Sequence, residues 1–188
     1  MTFTPAMAGR LTALGILGVI AQTAAISQVY VFGTPVDILP LIVAAVGLLT
    51  GAIGGAVFGF GAGLFIDVAL QQTIGVTSLV YVPIGYGAGR LLELRDPAHG
   101  LTPMAVGAAA TAVAVIGSAL LNFMLGIDAP VSLALVRQII LSILVNALLA
   151  VPVYALVRRV LRPFLPEDPR RRRRRAYTTG GLSPLSRA

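Results

Sequence analysis

One histidine, seven acidic residues and no cysteine are all that this chain offers for reactive chemistry. Without thiols there is no disulfide framework, thiolate metal site or cysteine nucleophile. His99 alone cannot supply the ligand clusters that zinc or haem require. The sequence holds no Walker-type phosphate loop, paired-histidine metalloprotease helix or G-x-S-x-G nucleophile elbow. No nucleophile–base pair or metal cluster can be assembled from such scattered groups. The expectation is therefore a protein with no catalytic, metal or cofactor site, whose function resides in binding surfaces.

Two other residue patterns stand out. Gly47, Gly51, Gly55, Gly59 and Gly63 recur every four residues, with Phe60 beside the fourth. On a helix that spacing makes a groove where another backbone can come close. It serves either packing among the protein's own helices, the favoured reading, or docking of a partner. Asp67 ends the same apolar run, and an acid in that position is a functional candidate by default. Proton relays need several such groups, and no second acid is expected at mid-span. Asp67 is thus read as a polar anchor at a helix end, bonding backbone amides or an arginine such as Arg137. Gln22, Asn122, Gln138 and Asn146 are read as hydrogen-bonding contacts between helices.

The elements that hold these residues belong in a membrane. Of the 188 residues, 57% are hydrophobic and 11% charged, with a mean hydropathy of +0.91. Soluble domains carry about 25% charged residues. Charges are expensive inside a bilayer, so uncharged stretches mark the spans. Such stretches lie between Arg10 and Asp37, Asp37 and Asp67, Asp67 and Arg90, Asp96 and Asp128, and Arg137 and Arg158. Each can hold at least one helix of about 20 residues.

The stretch of 29 residues between Asp37 and Asp67 is too long for one simple span and short for two. A turn around Thr50–Gly55, eased by glycine, would divide it and split the glycine ridge between two helices. The fold class expected is an all-α integral membrane bundle of about six transmembrane helices. Five also satisfy every constraint except Arg10. The first apolar stretch, Leu11–Ile26, has small residues suited to a cleavage site but only one preceding arginine, and is read as a retained helix.

The net charge of +7 comes from one end. Residues 158–188 carry +8 and residues 1–157 carry −1. A run of six arginines, Arg170, Arg171, Arg172, Arg173, Arg174 and Arg175, cannot form a core. The chain divides into a multi-span domain, residues 1–163, and an arginine-rich tail, residues 164–188, expected to be disordered. By the positive-inside rule the tail is cytoplasmic, where it contacts anionic lipids; no nucleic-acid partner is expected.

Across residues 35–90 the order of features resembles the MreD family of rod shape-determining membrane proteins. The residues are Pro35 and Asp37, then Gly55-x3-Gly59-Phe60-x2-Gly63-Leu64-x2-Asp67, then Gly75, Leu79, Tyr81 and Gly85-Tyr86. The resemblance implies a non-enzymatic scaffold of the bacterial inner membrane, C-terminus cytoplasmic, that binds MreC and helps to organise peptidoglycan synthesis. RodA, a class B penicillin-binding protein and MreB are the further partners it implies. The family is also similar in architecture to the substrate-binding subunits of energy-coupling-factor transporters, so a vitamin-binding transporter subunit is the alternative. Shared fold does not carry function across. The scarcity of polar and aromatic groups at mid-span favours the scaffold.

Overall fold

Gly51 breaks the apolar run between Asp37 and Asp67 into two helices, α2 (Leu39–Thr50) and α3 (Ala52–Ala69). Its φ of 87° lies in the region that favours glycine, because a Cβ would clash there. The Gly51 amide closes α2 by donating to the Gly47 carbonyl, and the Gly51 carbonyl accepts from Gly55 to open α3, each at 2.9 Å. A single residue therefore reverses the chain. Gly47 and Gly55, four residues either side of the pivot, face one another; a Cβ on Gly55 would stand 2.6 Å from the Gly47 Cα. Eight residues out, a Cβ on Gly59 would stand 3.2 Å from the Val43 side chain. The two helices leave the pivot as an antiparallel pair.

The computed structural model describes residues 5–24, 30–31, 34–94, 102–126 and 133–164. Around the α2–α3 pair lie α1 (Pro5–Ala24), α4 (Val76–Leu94), α5 (Thr102–Met124) and α6 (Leu133–Leu161), the last continued by a 3-10 turn, Arg162–Phe164. A two-residue antiparallel ladder, β1 (Tyr30–Val31) with β2 (Thr34–Pro35), sits between α1 and α2. The rest of the described chain is helical or connecting. Helices α1, α3 and α5, and the stretch Val136–Phe164, are long and apolar enough to cross a membrane. This is the all-α membrane bundle that composition demands.

The centre of the bundle is α2. Every residue from Leu39 to Leu49 is buried, and α2 contacts all five other helices. A helix apolar on all sides is stable only when surrounded, and at 12 residues it rises about 18 Å, well short of a hydrocarbon core of about 30 Å. Outer helices show the opposite pattern. Ile53, Phe123 and Leu148 are 73%, 75% and 69% exposed, a surface only lipid or a partner helix would wet.

Arg10 decides between six helices and five. Its guanidinium donates to the Val160 carbonyl at 3.1 Å and stacks over the Phe164 ring, 5.1 Å from its centroid. The start of α1 and the end of α6 thus meet at one end of the bundle, as an even number of crossings requires. A cation there also favours the last carbonyls of α6. Exposed Arg90, Arg158, Arg159 and Arg162 share that end, whereas Asp37, Asp67 and Arg137 lie at the other. The tail with Arg170–Arg175, and also His99, Asp96 and Asp128, fall outside the described residues.

Candidate functional site: a backbone-packed helix hairpin closed by Asp67

In α3 the sequence Gly55-x3-Gly59-x3-Gly63 puts one bare edge along the helix. Helix α4 lies against that edge in antiparallel register. A Cβ on Gly59 would stand 2.5 Å from the Tyr81 carbonyl oxygen, and one on Gly63 2.5 Å from the Ser78 nitrogen. Near the pivot the contact is glycine on glycine: a Cβ on Gly55 or Gly47 would run into the Gly85 carbonyl, and one on Gly89 into the backbone of Gly51 and Ala52. Three helices therefore meet through Gly47, Gly55 and Gly85 with no side chain between them. Lipid tails are as apolar as side chains, so this association draws on close van der Waals approach instead of the hydrophobic effect.

Asp67 closes the far end of the same hairpin. It is fully buried at the end of α3, and its Oδ2 accepts from the amides of Gly75 at 2.8 Å and Thr77 at 3.2 Å. Those amides open α4, so the carboxylate caps a helix N-terminus that is not its own. The turn between them, with Gln71 at φ 53° and Gly75 at φ 95°, aims the amides back at Asp67. Ser78 adds a bond from its hydroxyl to the Phe60 carbonyl at 3.0 Å. Asp67 Oδ1 is buried without a partner among the described residues. Of the two kinds of partner considered for Asp67, the structure shows amides; Arg137 is exposed on α6 and makes no ion pair with it among the described residues.

At the same end, Gln22 holds the segment entering α2. Its Nε2 donates to the Val36 carbonyl at 3.1 Å and its Oε1 accepts from the Ile38 amide at 3.0 Å. Asp37, between these residues, accepts from the Leu39 amide at 3.2 Å. Tyr81, buried on α4, lies within electrostatic reach of both Asp37 and Asp67.

Burial pushes the Asp37 carboxyl from 3.8 up to about 6, and the Leu39 amide offsets only part of that. A raised carboxyl favours the protonated folded state, so this group's contribution to stability falls as pH rises from about 4 to about 6 and is flat beyond. Asp37→Asn should raise the melting midpoint in detergent well above that window and leave it nearly unchanged well below. An equal gain at both ends would refute the assignment.

The ridge foreseen as Gly47, Gly51, Gly55, Gly59 and Gly63 is thus divided. Gly47 lies on α2, Gly51 is the pivot, and the other three lie on α3. Phe60 alone among the six residues singled out there is exposed, at 53%. Gly85, named above only as part of the family pattern, and Gly89 prove to be the opposing edge, and their own four-residue spacing was a readable signal.

Residues 11–160 match the family of rod shape-determining protein MreD. The chain belongs to the MreD family. The match takes in nearly the whole bundle, including every residue of the glycine hairpin and Asp67. Membership gives the chain a role in rod shape determination, as a membrane-embedded protein. No curated protein and no solved structure matches the chain. In this chain the motif Gly59-Phe60-x2-Gly63-Leu64-x2-Asp67 builds a hairpin: two glycines admit α4 and the aspartate caps it.

Proposed function

We propose that this member of the MreD family is a non-enzymatic scaffold of the cell-elongation machinery, docking the single span of MreC and through it helping to organise peptidoglycan synthesis. The observation that carries the reading is the family match across the bundle. The geometry supports it, because Gly59, Gly63 and Asp67 are engaged in holding helices together. RodA, a class B penicillin-binding protein and MreB are further candidate partners, with anionic lipids at the tail.

Since the glycine edge is occupied by α4, MreC docks on the outward edge of α3, where Ile53, Val57 and Phe60 stand exposed. Phe60→Ala should leave expression and melting midpoint unchanged and lower the recovery of MreC on a tagged full-length chain. Failure of the unaltered chain to retain MreC, in detergent or after crosslinking in cells, would refute the scaffold reading. Unchanged recovery with Phe60→Ala would move the surface elsewhere.

The membrane in question is the bacterial inner membrane, with both ends cytoplasmic. Arginines crowd the end where α1 starts and α6 finishes, and the positive-inside rule assigns that end to the cytoplasm. A periplasm-active reporter should be silent at either terminus and active when inserted at Gln72, in the exposed turn between α3 and α4. Activity at a terminus would reverse the assignment.

A further inference from the structure

Asn146 is fully buried on α6, and among the described residues neither its Oδ1 nor its Nδ2 has a hydrogen-bond partner. An amide sealed from water with both ends idle is among the costlier features a bundle can hold. Two other buried polar residues lie on the α5–α6 pair. Ser142, one turn away on the same face of α6, is buried as well. Across the seam, α5 and α6 run antiparallel and touch where Gly107 meets Ala150. One turn on from that contact in the same direction, Thr111 on α5 and Asn146 on α6 share a layer. Thr111 is 1% exposed and its hydroxyl donates to the Gly107 carbonyl at 2.9 Å, which leaves its oxygen free to accept.

We propose that the layer formed by Thr111 and Asn146, with Ser142 one turn along, is a binding site for an internal water that bridges α5 and α6. The guest must both donate and accept, since Asn146 offers one atom of each kind and Thr111 an acceptor. It must be uncharged, because α5 carries no charged residue and α6 none between Arg137 and Arg158. It must be small, because Thr111 and Asn146 are buried to within 1% of complete enclosure. The bundle then has two kinds of seam: a dry one of backbone on backbone among α2, α3 and α4, and a hydrated one between α5 and α6.

A double-mutant cycle on the full chain tests the bridge, with Thr111→Val, Asn146→Leu and the pair. A shared water predicts that each single change lowers the melting midpoint by about 3–8 °C. It also predicts that the pair costs little more than the worse single change, because both remove the same guest. A rise in midpoint with Asn146→Leu would mean that the amide is dry, and fully additive losses would mean that no guest is shared. Either result overturns the proposal. Should Asn146→Leu fail to accumulate, an experimental structure at a resolution that shows ordered water decides. Density between Thr111 and Asn146 supports the site, and a dry seam refutes it.

Discussion

Gly59→Ala and Gly85→Ala should each prevent the bundle from assembling, although alanine is the smallest change a glycine can undergo. The added methyl on Gly59 would stand 2.5 Å from the Tyr81 carbonyl oxygen, and on Gly85 it would meet the Gly55 carbonyl. Overpacking against side chains typically costs 1–3 kcal/mol. Here the obstacle is helical backbone, which cannot rotate aside, so the loss should reach or exceed that range. Gly61 and Gly87 supply the control, since a Cβ on either meets nothing within 4 Å. Alanine there should be neutral or stabilising by up to about 1 kcal/mol, the gain in helix propensity. The measurement is the yield of folded, monodisperse protein and its melting midpoint for the four variants. Loss at all four or at none would refute backbone contact as the organising feature. Normal folding at Gly59 and Gly85 with lost MreC recovery would make the ridge a docking surface.

Asp67→Ala should be the most damaging single change among the polar residues. It removes two charge-assisted bonds and leaves the Gly75 and Thr77 amides without their acceptor, a loss of roughly 2–4 kcal/mol. Asp67→Asn keeps an acceptor oxygen but not the charge and should fall between. Hydrogen exchange gives a local readout: in both variants the amides of Gly75 and Thr77 should lose protection before those of mid-α3. If Asp67→Asn kept full stability and full amide protection yet failed to support rod shape in a depleted strain, Asp67 would have a role beyond capping.

Much of this architecture is legible in the sequence, for reasons that also mark where reading stops. Charge-free stretches report spans because a bilayer penalises charge everywhere along them. Gly51 reports a turn because the 29 residues around it fit neither one helix nor two full ones. Asp67 reports a helix end because a carboxylate needs donors and the first amides of the next helix are close in sequence. The partners of the ridge are less visible. Gly85 and Gly89 carry the same spacing as Gly55 and Gly59, but nothing local says that the two edges face each other. Arg10 and Val160 lie 150 residues apart, and neither leaves a periodic trace. Asn146 looks like any polar residue in a span until its neighbours are placed around it. Arg137, the nearest-looking counter-charge for Asp67, is exposed instead, and Oδ2 takes amides eight and ten residues along.

The one-residue reversal at Gly51 also constrains how the chain enters the bilayer. Helix α2 rises only about 18 Å and is surrounded by protein, so it is a poor candidate for stable insertion by itself. From Leu39 to Val68 the chain holds a single charge, Asp67, near the very end. To the insertion machinery this is one long apolar segment followed by a polar stop. The hairpin can form only once the segment is inside and can bend at its glycine. It gains its deepest contacts only when Gly85 and Gly89 arrive with α4. The geometry therefore sets an order of contacts: α2 and α3 can close on each other at Gly51, but their shared glycine edge stays uncovered until α4 arrives.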